Sequence, residues 1–172
     1  MADPDAAYCS EIDLDINYLT PQVACSHENG TVQSVEEVAG KKIDQVVLGG
    51  CVNGRIDDLE TAVRILRGRR IDRDIRMFVI PASRKVYSEA LDRGLIRTFI
   101  DSGCDVLSPS CGSCLKANQE TLEPGEKALA TCADCCKGID NIRAREIYLG
   151  SPATAAATAL EGAIADPRKY IK

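Results

Sequence analysis

Aromatic residues and histidine are scarce in this chain. It has no Trp, two Phe and a single His among 172 residues, so its core must be built from Ile, Leu, Val and Ala. The formal net charge is −5, which disfavours a nucleic-acid partner that is bound through its phosphates. No run of 18 apolar residues occurs, so we expect no transmembrane helix and no membrane partner.

Cysteine, by contrast, is abundant. Nine cysteines are present, and an odd number argues against a complete disulfide framework. The first residues, MADPDAAY, are acidic and lack the apolar stretch of a signal peptide. We therefore expect a cytoplasmic protein, because thiols stay reduced in the cytoplasm. We also expect its cysteines to bind a metal or to take part in catalysis.

Local patterns predict two regions: an extended N-terminal arm over 1–40 and an α/β domain over 41–172. From residue 41, short apolar runs alternate with segments of helical periodicity. Such alternation is typical of βαβ units and predicts a three-layer αβα domain with a mostly parallel sheet. The predicted strands lie within 42–50, 75–82, 104–109, 126–132 and 145–150, and the predicted helices within 55–68, 83–94, 95–103 and 151–164.

Capping residues mark several helix ends. Asn53 is a candidate N-cap for the first helix of the domain, and Ser83 is one for the second. Ser151 followed by Pro152 predicts the start of the last helix. The side chains expected to face inward from the second helix are Val86, Tyr87, Ala90 and Leu91.

Six cysteines follow predicted strands. Cys51 follows the first strand of the domain, Cys111 and Cys114 follow the third, and Cys132, Cys135 and Cys136 end or follow the fourth. Because the carboxyl ends of parallel strands meet at one edge of a sheet, we expect these thiols to converge. We interpret the other three cysteines, Cys9, Cys25 and Cys104, as ordinary buried or arm thiols.

Three kinds of site agree with this convergence. Zinc requires a fourth ligand, such as Cys132 or Cys135, beside Cys51 and the Cys111–Cys114 pair. A redox pair of the thioredoxin type leaves Cys51 unexplained. An iron–sulfur cluster held by three thiolates leaves one iron open as a Lewis acid. Spacing alone does not decide between them.

Longer segments resemble a known family. The stretches "IDQVVLGGCVNGRIDDLETAVRILRGR", "VIPASRKVYSEALDRGLIRTFIDSGCDVLSPSCGSC", "LEPGEKALAT" and "YLGSPATAAATALEGAIADPRKYI" resemble aconitase-family hydro-lyases. The branch they resemble is the large subunit of 3-isopropylmalate dehydratase and homoaconitase. The resemblance covers nearly the whole chain and implies the cluster-binding C-terminal domain of such a subunit, with a fold like the third domain of aconitase.

The resemblance implies a [4Fe–4S] cluster with Cys51, Cys111 and Cys114 as ligands, zinc being the alternative. Asn53 falls in the family's C-T-N pattern, with Val52 in place of Thr, and is expected to support the cluster loop. The implied reaction is reversible dehydration of a hydroxy-di- or tricarboxylic acid. The implied partners are the other domains of a large subunit and a small swivelling subunit, which supply the base and further substrate contacts.

One segment departs from the family pattern. Where the family reads S-N-R-N-F, this chain reads "CADCC", and Asp134 replaces an Arg that contacts substrate. A carboxylate there repels an anionic substrate by about 4 kcal/mol at about 4 Å. Two hypotheses follow: a hydro-lyase part that acts only with partner chains, or a stand-alone iron–sulfur or metal module for redox or sensing. In the second, Cys132, Cys135 and Cys136 are possible extra ligands; a degenerate, inactive domain is a third reading.

Overall fold

Seven strands and five α-helices make up the regular structure of the described part of the chain, apart from short 3-10 turns. The computed structural model describes residues 3, 5–10, 12–25, 31–50, 52–109, 122, 125–132 and 146–171. The strands are β1 Gln22–Cys25, β2 Thr31–Ser34, β3 Gln45–Gly49, β4 Arg76–Ile80, β5 Asp105–Val106, β6 Lys127–Ala130 and β7 Glu146–Leu149. The helices are α1 Val35–Val38, α2 Ile56–Leu66, α3 Arg84–Asp92, α4 Leu95–Ser102 and α5 Pro152–Glu161.

The described strands form one sheet in the order β2-β1-β7-β6-β3-β4-β5. The five strands from β7 to β5 run parallel, and β1 joins β7 antiparallel. In the centre, Val47 of β3 pairs with Phe78 of β4 on one side and with Ala130 of β6 on the other. The predicted α/β fold with a mostly parallel sheet is therefore confirmed.

Each face of the sheet has its own apolar cluster, because successive strand residues point to opposite sides. Val46, Leu48 and Val79 pack with Leu129 in the larger cluster, which also holds the buried faces of the described helices. Val47, Ile80 and Ala130 pack in the smaller cluster on the other face, together with Leu122 and Cys132. The described helices thus form the layer on one side of the sheet.

The start of α2 differs from the prediction. Asn53 does not cap this helix: the cap position belongs to Arg55, and the side chain of Asp58 accepts hydrogen bonds from the backbone N–H groups of Gly54 and Arg55, at 3.1 and 3.0 Å. The carboxylate therefore satisfies donors at the helix start, where the helix dipole also favours negative charge. The amide of Asn53 is directed elsewhere, to the end of β6.

The other predicted caps agree with the structure. The hydroxyl of Ser83 accepts from the N–H of Val86 at the start of α3, and that of Ser151 accepts from Thr154 at the start of α5. In α3, Ala90 is buried as predicted, but Leu91 is 51% exposed, so its predicted inward orientation is wrong. Leu91 lies one residue beyond Ala90, about 100° around the helix, and so leaves the buried side.

Part of the predicted arm belongs to the sheet. Residues 22–25 form β1 and residues 31–38 form β2 and α1, and β1 pairs with both β2 and β7. Before them, the apolar side chains of residues 8–19 are exposed, up to 86% for Tyr18. The domain boundary at residue 40 stays a prediction. None of the described helices has the length and apolar character that a membrane crossing needs.

Candidate functional site

The order of the strands places a topological switch point between β3 and β6. After β3 the chain crosses to β4 and then to β5 on one side, whereas β6 and β7 lie on the other side of β3. Ligands of open α/β sheets bind outside the carboxyl ends of the strands at such a topological switch point. This point is where the segment of Cys51 leaves β3.

Most predicted ligands lie outside the described residues: Cys51, Cys111, Cys114, Cys135 and Cys136. Within the described part of the chain, no three His, Cys, Asp or Glu side chains come together as a metal site. The neighbours of the predicted ligands are described, however. Gly50 and Val52 follow β3, Ser108 and Pro109 follow β5, and Thr131 and Cys132 follow β6.

These neighbours all leave the same edge of the sheet, since β3, β5 and β6 are parallel. The strand β6 is adjacent to β3, while β4 separates β3 from β5. Neighbouring strands lie about 4.8 Å apart, so the ends of β3 and β5 lie about 10 Å apart. The described segments therefore agree with the predicted convergence, and the ligand set itself stays a prediction.

Thr131 links the loop after β3 to the end of β6. Its hydroxyl oxygen accepts a hydrogen bond from the backbone N–H of Gly49 at 3.0 Å. Its carbonyl oxygen accepts one from the side-chain amide of Asn53. The backbone N–H of Thr131 donates to the carbonyl of Val47 at 3.0 Å. The sequence pattern did not single out Thr131, which falls inside the predicted strand 126–132; the available signal was a polar residue at the end of an apolar run.

Two glycines allow the loop after β3 to lie directly on the end of β4. A Cβ atom on Gly49 would lie 2.1 Å from the carbonyl oxygen of Ile80, and one on Gly54 would lie 2.4 Å from the same atom. Their φ values, +101° and +84°, are in the region that favours glycine. Gly50 donates its N–H to that carbonyl at 2.9 Å. Only side-chain-free residues permit this approach.

Cys132 is the one candidate sulfur ligand in the described part of the chain. It is 3% exposed and packs in the smaller apolar cluster with Val47, Ile80 and Ala130. Its position, directly after Thr131, lies beside the carboxyl end of β3. The role of Cys132 as an extra ligand stays a prediction.

The other described cysteines lie away from this edge. Cys9 is exposed in the arm, whereas Cys25 and Cys104 are buried in the larger cluster. The sulfur of Cys104 lies 3.5 Å from that of Met77, and burial raises the pKa of the Cys104 thiol to about 12. A thiol with so high a pKa is a poor nucleophile and a poor ligand, which agrees with its interpretation as a packing residue.

Comparison with known proteins identifies close similarities. The model of the Aconitase family (aconitate hydratase) matches residues 26–162. The chain is 46% identical over 170 residues to "3-isopropylmalate dehydratase large subunit 2" of Archaeoglobus fulgidus, covering 99% of this chain and 41% of that protein. "3-isopropylmalate dehydratase large subunit 1" of Thermotoga maritima is 46% identical over 172 residues, with coverage of 99% and 41%. The chain thus spans about two fifths of the length of these relatives.

Proposed function

The chain belongs to the aconitase family, and on that premise we propose that it is the cluster-binding domain or subunit of a hydro-lyase that acts together with partner domains or subunits. The proposed substrates are hydroxy-di- or tricarboxylic acids, as in 3-isopropylmalate dehydratase. The observation that carries the proposal is the 46% identity to relatives of that name across 99% of this chain. The switch point beside Cys51 supports it, because open α/β sheets bind ligands there.

The residues around the switch point fit a [4Fe–4S] cluster. We propose Cys51, Cys111 and Cys114 as its thiolate ligands. Gly49 and Gly54 have no side chain at the two positions where a Cβ would clash with the carbonyl of Ile80. The loop after β3 can therefore pack directly on the end of β4. When bound, such a cluster supplies a Lewis-acidic iron for the hydroxyl group of the substrate.

The residues of this chain have positioning roles in this proposal. Asn53 and Thr131 connect the loop after β3 to the end of β6, and Asp58 secures the exit of the same loop into α2. The smaller apolar cluster, with Val47 and Ile80, lies under this edge and keeps water from the sheet.

Partner domains and a small subunit are part of the proposal. The relatives are named large subunits, and about three fifths of their length is not represented in this chain. The chain has a single His, His27, and it falls in the predicted arm. We therefore assign the general base and most carboxylate contacts to the remaining large-subunit domains and a small subunit.

A second candidate function is a closed four-thiolate module with a redox or sensing role. The observation that favours it is the position of Cys132, which directly follows Thr131 and therefore lies beside the end of β3. Cys132 and Cys135 form a second C-x-x-C sequence, and Asp134 stands where the family has an Arg. A closed site of this kind has no open iron and no dehydratase chemistry.

Anaerobic reconstitution with iron and sulfide distinguishes the two functions. Iron and sulfide per chain and the EPR spectrum are measured for the wild type and for Cys51→Ala, Cys111→Ala and Cys135→Ala, with Cys9→Ala in the exposed arm as the matched control. We expect a cubane cluster that requires Cys51 and Cys111 and is indifferent to Cys135 and Cys9. A requirement for Cys135 favours the closed module, and binding of zinc in place of iron refutes the hydro-lyase proposal.

A further inference from the structure

Thr131 makes contacts on both sides of Cys51 along the chain. Gly49, two residues before Cys51, donates to the Thr131 hydroxyl, and Asn53, two residues after it, donates to the Thr131 carbonyl. We propose that Thr131 is a positioning residue that holds the loop of Cys51 in its cluster-binding conformation. This inference rests on the proposed function and adds a residue to it.

The two contacts replace one regular contact of the sheet. Between parallel strands, the ladder that joins Val47 to Ala130 and to the N–H of Thr131 continues with a bond from the N–H of Gly49 to the carbonyl of Thr131. Here the Thr131 hydroxyl takes that N–H instead. The Thr131 carbonyl accepts from the amide of Asn53.

Because the hydroxyl of Thr131 takes the place of its carbonyl as the acceptor for Gly49, the loop contacts depend on the side chain of residue 131. The N–H of Thr131 is held by the carbonyl of Val47, so the residue is anchored to the central strand before it makes either loop contact. Without the hydroxyl, the N–H of Gly49 loses this acceptor, and the acceptor that the sheet ladder offers in its place is the carbonyl of residue 131, which already accepts from Asn53. Either the N–H of Gly49 is left without this bond, or the end of β3 shifts to reach a carbonyl that then accepts two hydrogen bonds; in both cases the loop between Gly49 and Asn53 gains freedom.

The roles of shape and of the hydroxyl are separated by two substitutions. Thr131→Val keeps the shape of the side chain and removes its oxygen, and Thr131→Ser keeps the oxygen. Thr158 offers a matched control, because its hydroxyl also accepts from a backbone N–H, that of Ala165, at 3.4 Å. Thr158 is buried in α5, on the opposite face from the smaller cluster. Thr158→Val therefore reports the general cost of such a change.

Two measurements test the inference. The first is the rate at which a chelator removes iron from the reconstituted chain. We expect about a tenfold faster release for Thr131→Val, near-wild-type release for Thr131→Ser, and no acceleration for Thr158→Val. Equal release from Thr131→Val and the wild type overturns the inference, as does equal acceleration by Thr158→Val.

The second measurement needs no iron. Amide hydrogen exchange of the iron-free chain is followed in the peptide that covers residues 49–54. We expect about tenfold faster exchange there for Thr131→Val and unchanged exchange for Thr158→Val. Unchanged exchange in Thr131→Val overturns the inference. If the wild type fails to bind iron while the exchange of this peptide responds as expected, the proposed function is wrong and the contacts of Thr131 have a different use.

Discussion

Substitution of Gly49 by Ala tests how the candidate site is built. Gly49 ends β3, and its φ is +101°, a value that costs a residue with a side chain about 1–2 kcal/mol. The new Cβ would lie 2.1 Å from the carbonyl oxygen of Ile80. The two atoms must separate by about 1.3 Å to reach ordinary contact, and both belong to strands buried in the sheet.

Overpacking of this kind costs about 1–3 kcal/mol, so the full effect of Gly49→Ala is a loss of about 2–5 kcal/mol in the free energy of unfolding. For a chain of 172 residues, each kcal/mol lowers Tm by about 2–4 °C. We therefore expect Tm to fall by about 10 °C. Because the displaced backbone leads directly to Cys51, the reconstituted variant should also hold less iron per chain.

Gly68→Ala is the matched control for this prediction. Gly68 follows α2 with a φ of +73°, and a Cβ built on it meets no atom within 4 Å. Gly68→Ala therefore has the cost of a positive φ without the clash, and we expect the free energy of unfolding to fall by about 1 kcal/mol. Urea unfolding and thermal unfolding of the iron-free chains measure both variants. Equal losses for Gly49→Ala and Gly68→Ala would refute the close approach of β3 to the Ile80 carbonyl.

Two further predictions concern the rest of the chain. At pH 8, alkylation should label exposed Cys9 quickly and Cys104 hardly at all. The pKa of the Cys104 thiol, about 12, leaves about one Cys104 thiol in ten thousand ionised at pH 8. The labelling of Cys104 should accelerate as the pH rises toward that pKa. Peptide mass spectrometry measures both sites, and equal labelling at pH 8 would contradict the burial of Cys104. Limited proteolysis should cut between Tyr8 and Leu19, where the apolar side chains are exposed, and deletion of residues 1–19 should change Tm by less than about 2 °C. A large loss of Tm on deletion would show that this segment packs on the domain.

The elements of the domain follow from local signals. The segment over 42–50 is continuously apolar in its centre, and β3 is buried along its whole length, as expected of a strand covered on both faces. Ser83 and Ser151 mark the starts of α3 and α5 because their hydroxyls are short enough to reach the first free N–H groups. The inward orientation predicted for Leu91 is wrong because helical periodicity specifies the spacing of the buried residues, whereas the width of the buried stripe depends on what the helix packs against.

Contacts between residues far apart in the chain could not be predicted from local sequence patterns. The amide of Asn53 has a partner 78 residues away, in Thr131, and not in its own helix. Likewise β1 was not expected as a strand, since its place beside β7 depends on pairing across more than a hundred residues. Such contacts depend on the order of the strands, which no short window of sequence contains.

By itself, the sequence determined the α/β class, the alternation of strands and helices, and the position of cysteines a few residues after strands, because each depends on residues close together in the chain. Only the tertiary structure decided that β6 lies beside β3 and that Thr131 thereby meets Gly49 and Asn53. It also decided that Gly49 and Gly54 lie against the carbonyl of Ile80. These relations arise when distant strands pair, since hydrogen bonding and burial then select one arrangement of segments that are independent in the sequence.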